Sequence, residues 1–195
     1  MLKGETKMAD SNKVKFGLKN VHYAVATVSG STVTYGVPVA IPGAVNLSMD
    51  AQGEETNFYA DDTKYYNVTN NTGYSGDLEV AKFPESFYAD IFGVTADTDG
   101  VLFEDAEAEP KQFALLFEFA GDANKTRHCL YLCSASRPAL SSGTLTESKE
   151  PVTETSTLTA SPLPIDSNGM RIVRSKCVEG DTDYAGWYTA VHQYT

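Results

Sequence analysis

A chain of 195 residues with 42% hydrophobic and 21% charged residues can bury one core and has the composition of an ordinary globular domain. Its formal net charge of -11 argues against a basic face that grips nucleic-acid phosphates. The charge suits either plain solubility or a surface past which nucleic acid moves without sticking.

Residues 1–12 are polar and expected to be mobile, and Met8 offers an alternative start. The opening, MLKGETKMADSNK, has no apolar stretch of the kind an export signal needs, and no run in the chain approaches the ~20 apolar residues of a membrane helix. From Val21 to Val28, Val21, Tyr23 and Val25 share one side. From Val33 to Val39, Val33, Tyr35, Val37 and Val39 do the same. Ser29-Gly30-Ser31 lies between the two runs, so they predict a β-hairpin, with Pro38 pushing its second strand toward a sheet edge. Pro42-Gly43 turns the chain into a further strand beginning at Val45–Met49.

The segment from Asp50 to Tyr66 is polar yet carries Phe58, Tyr59, Tyr65 and Tyr66. Asp61-Asp62 and Asn70-Asn71 break its pattern, which predicts a long loop over about residues 50–72. Its rings either fold back onto the core or meet another protein. From Tyr74 to Ala81, Tyr74, Gly76, Leu78 and Val80 alternate with Ser75, Asp77 and Glu79, which is a half-buried strand. Pro84 suits a first helical turn. Phe87, Tyr88, Ile91 and Phe92 share one helical face, and Gly93 supplies the stop. This helix is expected to cap an open end of a β core.

Residues 97–109, DTDGVLFEDAEAE, are acidic and contain no Lys or Arg. Gly100 comes too early for an EF-hand, so a solvated acidic loop is the expectation. Phe113 to Phe119 and Arg127 to Ala135, joined through Gly121–Lys125, predict the most buried hairpin. In a regular strand Cys129 and Cys133 share a face but stand ~13 Å apart at ~3.3 Å per residue, too far for one tetrahedral zinc. With Cys177 the chain has three cysteines, an odd number that reads as buried free thiols in a reducing compartment.

Arg137 to Pro151 is a Ser/Thr/Gly-rich loop. In Val152 to Ala160, Thr153, Thr155, Thr157 and Thr159 alternate with Glu154, Ser156, Leu158 and Ala160. Such a strand has little apolar surface on either face and suits a wet channel wall or an exposed edge. Met170 to Val178 predicts a strand exposing Arg171, Arg174 and Lys176. Tyr184, Trp187, Tyr188 and Val191 place an aromatic helix or strand on the core near the C-terminus. There is no P-loop, no G-x-G-x-x-G and no nucleophile elbow, since Gly73-Tyr74-Ser75-Gly76 has the wrong spacing. No catalytic residue, cofactor or metal ligand is expected, and an enzyme is not.

The block GYSGDLEVAKFPESFYADIFG, residues 73–93, resembles the strand–helix block of phi13-type major tail proteins, the tail tube subunits of long-tailed phages. The late run TETSTLTASPLPI, residues 153–165, resembles their Thr-rich strand, and the order of strands extends the resemblance from about Lys13 to Val191. The resemblance implies an all-β, mostly antiparallel sandwich or partial barrel over residues 13–195, tail-tube-like, with one short flanking helix. It implies hexameric rings stacked into a tube, made in the host cytoplasm and ending in the virion. Duplex DNA would pass the lumen without specific binding. Tape-measure, tail-tip and tail-terminator proteins would be its partners, and no membrane would be involved. The contact loop would present Phe58, Tyr59, Asp61, Asp62, Tyr65 and Tyr66. The lumen wall would present Thr153, Glu154, Thr155, Thr157 and Thr159. A monomeric β-sandwich binding module for carbohydrate or protein is the alternative.

Overall fold

Alternating apolar residues and a Gly-containing turn build the first hairpin, β1 (Leu18–Ser29) with β2 (Thr32–Tyr35), as expected. The computed structural model describes residues 16–142, 151–166 and 168–194; the N-terminal segment 1–12 and residues 143–150 of the Ser/Thr-rich loop lie outside the described residues. The predicted run to Val39 divides: β2 stops at Tyr35, and after Pro38, which has no N–H to give a ladder, β3 (Val39–Ala40) pairs with β1 further back. β4 (Ala44–Gln52) follows, then β5 (Glu55–Ala60), β6 (Thr63–Thr69) and β7 (Gly73–Val80).

The helix α1 (Glu85–Phe92) starts after Pro84 and ends where Gly93 takes a left-handed φ of 72°, a conformation glycine adopts without steric penalty. β8 (Thr95–Ala96) and β9 (Leu102–Phe103) form a small hairpin inside the expected acidic loop. β10 (Phe113–Phe119) and β11 (Arg127–Ala135) match the predicted buried hairpin, with six of the seven β10 residues buried. β12 (Glu154–Ser161) and β13 (Arg174–Cys177) complete the chain of elements.

Among the described residues one antiparallel sheet runs β2-β1-β10-β11-β12-β7-β4, with β13 continuing the β12 side of β11. β4 comes back alongside β1 without ladder bonds, so the sheet curls into a partial barrel and stays open. Val21, Tyr23, Leu78, Val80, Phe113, Leu115 and Leu158 point into the curl, where α1 fills the space with Phe87, Ile91 and Phe92. Tyr23 is fully buried and donates its hydroxyl proton to Asp90 on the helix at 2.8 Å. Burial and the facing carboxylate push that phenol up to about 12.

On the other face, Ala24, Ala114, Leu116, Cys129 and Tyr131 lie beneath Trp187, Tyr184 and Tyr188. The C-terminal segment is neither the expected helix nor a strand. It is a succession of short turns, with Tyr184 N–H donating to Asp181 O and Trp187 N–H to Tyr184 O. Docking on the sheet, rather than helical hydrogen bonding, holds it.

One ionic row crosses this face. Lys19, Glu118 and Arg127 are register neighbours on β1, β10 and β11. Glu118 is buried and receives Lys19 at 3.2 Å, Arg127 at 3.2 Å and the Asn20 amide at 2.6 Å. The Arg127 guanidinium lies under the rings of Tyr184 and Tyr188 and so ties the C-terminal turns to the sheet. Burial alone would raise the Glu118 pKa, but the three donors outweigh it and hold the carboxyl below its ordinary range. A folded-state pKa below the unfolded one means the stabilisation is present above the ordinary carboxylate pKa. It is lost as the pH falls through the lower folded-state value. Glu118→Gln is expected to cost about 2 kcal/mol at neutral pH by leaving Arg127 without its carboxylate. Urea titrations of both proteins should converge in acid, and an equal loss at all pH values would refute the ionic role.

Cys129 and Cys133 do not share a face, contrary to the strand-parity expectation. Phe113 pairs with Cys133 and Leu115 with Leu130, so β11 carries one extra residue there. That bulge reverses the parity: Cys133 points into the curl and Cys129 into the opposite core. Both thiols are buried, and burial raises their pKa; that of Cys133 lies at about 12.

Candidate assembly surfaces

The expected loop at residues 50–72 is a structured arm. Asp50 still belongs to β4, and the polar excursion that follows is the hairpin β5–β6. Asp61 and Asp62 both have positive φ, 52° and 57°, which is the geometry of a two-residue type I′ turn whose twist matches the flanking strands. They shape the arm's tip. Asn70 N–H donates to Glu54 O at 3.0 Å and Thr72 N–H to Gln52 O at 2.9 Å, so the arm extends the β4–β7 pair beyond the sheet.

Phe58 pairs with Tyr66 across the ribbon, while its side chain lies outside the described part of the structure. Tyr65 is the extra residue of a bulge between the Phe58 and Tyr59 pairs. Tyr59, Tyr65 and Tyr66 are 65%, 75% and 62% exposed, so none of these rings folds back onto the core. A two-stranded ribbon is marginal by itself in water, and aromatic rings standing clear of it add apolar surface in need of cover.

The second surface is the outer face of β12, β7 and β4. Thr155 faces Glu79 and Asn46 in one row; Thr157 faces Asp77 and Ser48 in the next; Thr159 faces Ser75 and Asp50 in the third. Thr155, Thr157 and Thr159 are exposed, and the Thr157 hydroxyl donates to Asp77 at 2.8 Å. No Lys or Arg occurs in any of the three strands. The face is small, polar and acidic.

Two of the five candidate wall residues stand elsewhere. Thr153 precedes the strand and donates its hydroxyl to Glu79 at 2.6 Å. Glu154 points to the core side, where it accepts the Phe83 N–H at 2.8 Å and the Tyr88 hydroxyl at 3.1 Å, fastening the start of α1 to β12. That partnership, with burial first, puts the Tyr88 phenol at about 12. The strand itself is neither an edge nor lacking in apolar surface: it lies between β11 and β7 and buries Ser156, Leu158 and Ala160 completely. Its outer parity is wholly polar, while its inner parity passes from Glu154 and Ser156 to Leu158 and Ala160. Residues Asn46, Ser48, Asp50, Ser75 and Asp77, missed as wall candidates, belong to the same face; their period-2 polar parity was visible in β7, and only pairing could join it to β4 and β12.

Among the described residues no cluster of His, Cys, Asp and Glu has the geometry of a metal site, and no helix is long and apolar enough to cross a membrane.

No protein-family model matches the chain, and no curated protein matches it. Among solved structures it is similar to the cap that terminates the tube of the anti-feeding prophage, determined by cryo-electron microscopy. The TM-score is 0.43 at 10% identity, covering 89% of this chain and 99% of that one.

Proposed function

We propose that the chain is a non-enzymatic structural subunit of a phage-type tail tube, a major tail protein that assembles into stacked hexameric rings. The observation that carries this reading is the β5–β6 arm, a ribbon with three exposed tyrosines extending from the sheet with nothing among the described residues to cover them. An isolated arm of this kind finds its cover on another subunit. The open sheet supports the same reading: among the described residues β2 and β4 each leave one edge unpaired, and joining edges into a closed ring removes them. The acidic face of β12, β7 and β4 would line the channel and let duplex DNA pass by repelling its phosphates. Tape-measure, tail-tip and terminator proteins would meet the tube's ends, with assembly in the host cytoplasm and residence in the virion.

Negative-stain electron microscopy across a protein concentration series, with size-exclusion light scattering, tests this. Rings or tubes with a central channel are expected, and the assembled tubes should not retain duplex DNA at moderate salt. A chain that remains single even when seeded with tail-tip complexes would leave a monomeric binding module as the better reading.

A further inference from the structure

The β8–β9 hairpin is a preformed apolar knob. The Asp97 carboxylate receives the Asp99 and Val101 N–H groups at 2.9 and 2.8 Å, which sets the turn. Val101, Leu102 and Phe103 stand 52%, 48% and 55% exposed at its outer strand, flanked by the exposed acids Asp99, Asp105 and Glu107. Arg137 fixes its base: the guanidinium pairs with Glu104, donates to the carbonyls of Asp105 and Ala108, and lies over the Phe92 ring.

A cleft opens where β12 leaves β11 and β13 takes its place. Leu47, Met49, Tyr74, Phe117, Phe119 and Leu130 line it, with Arg174 at its rim, around a volume of about 200 Å³. That is smaller than the ~300 Å³ at which pockets for small molecules begin, and of a size for protein side chains. Arg174 lies 5.5 Å over the Tyr74 ring. Arg171, Arg174 and Lys176 are exposed, and among the described residues none has a carboxylate within ion-pair distance.

Knob and cleft sit at opposite ends of the strands. Phe113 opens β10 against the Phe87 ring of α1, from whose C-terminal end the knob is hung. Phe119 closes β10 at the cleft, roughly 20 Å away at ~3.3 Å per residue. The knob cannot fill its own cleft.

We infer that the Val101–Phe103 knob of one copy docks in the Leu47/Met49/Tyr74 cleft of the next, its acidic flanks facing Arg174 and Lys176. The occupant is a second copy of this chain, because apolar tip matches apolar cleft and acidic flank matches basic rim. A contact between two different patches is heterologous, so it propagates into rings or stacks rather than closing as a dimer. This rests on the tube-subunit reading and gives it a specific longitudinal or lateral joint separate from the arm.

The full chain carrying Leu102→Cys and Met49→Cys tests the joint by oxidative cross-linking. The native thiols are buried and add little background. A ladder of dimers, trimers and higher species on a non-reducing gel is expected, absent from a control pairing Leu102→Cys with Val28→Cys. Reversing Arg174 and Lys176 to Glu should raise the concentration needed for the ladder about tenfold, and adding Asp99→Lys and Asp105→Lys should restore it. Tubes without a ladder above control overturn this joint and leave the tube reading standing. A ladder without rings or tubes supports the joint and removes the tube reading. A ladder indifferent to both charge reversals overturns the docking.

Discussion

Replacing Tyr59, Tyr65 and Tyr66 together with serine is expected to abolish ring and tube formation while leaving the folded monomer unchanged. The rings are 62–75% exposed, so their removal takes no packing from the core. Far-UV circular dichroism and the thermal midpoint of the monomer should therefore stay within about 2 °C of the parent, as for other surface changes. Buried aromatic anchors at an interface are worth about 2 kcal/mol or more each, which corresponds to about thirtyfold in concentration per lost anchor. Light scattering of the variant should show a single monomeric species at concentrations where the parent assembles. Assembly at an unchanged concentration would mean that the arm is not the joint, and attention would move to the sheet edges.

Phe87→Ala is expected to give the largest stability loss of any single truncation, about 3–5 kcal/mol. Phe87 is fully buried in the curl of the sheet and its ring meets four others: Tyr23 at 5.1 Å, Phe83 at 4.9 Å, Phe92 at 5.7 Å and Phe113 at 5.6 Å. Three of these contacts are edge-to-face, the arrangement that adds energy beyond area burial. The cavity left behind cannot collapse easily, because sheet and helix hold its walls from opposite sides. Urea unfolding would measure the loss. Phe103→Ala, on the exposed knob, serves as the comparison and should fall within about 0.5 kcal/mol of the parent. A loss below about 1 kcal/mol at Phe87 would mean that α1 is not the plug of the core.

Elements whose causes lie within a few residues were legible in the sequence. Period-2 alternation marked β7 and one face of β10, a run apolar on both faces marked β11, and Pro84 with Gly93 bracketed α1, because strand patterning and helix caps are local. The exposed cations of β13 were legible for the same reason, whereas the aromatic spacing around Trp187 pointed to a contact with the core but not to the turns that carry it. Features that depend on partners farther along the chain emerge with the fold. The polar composition of residues 53–72 conceals a ribbon, since its order comes from cross-strand bonds and from a turn in which two aspartates tolerate positive φ. One extra residue in β11 sends Cys133 to the opposite core from Cys129, because a strand's faces alternate and a single insertion exchanges them. Glu154 shares a run with four threonines, yet its parity and the facing Phe83 N–H turn it inward. The acidic face appears only when β4 and β12 flank β7, a juxtaposition set by pairing between residues 74–86 positions apart for β12 with β7 and 21–36 apart for β4 with β7.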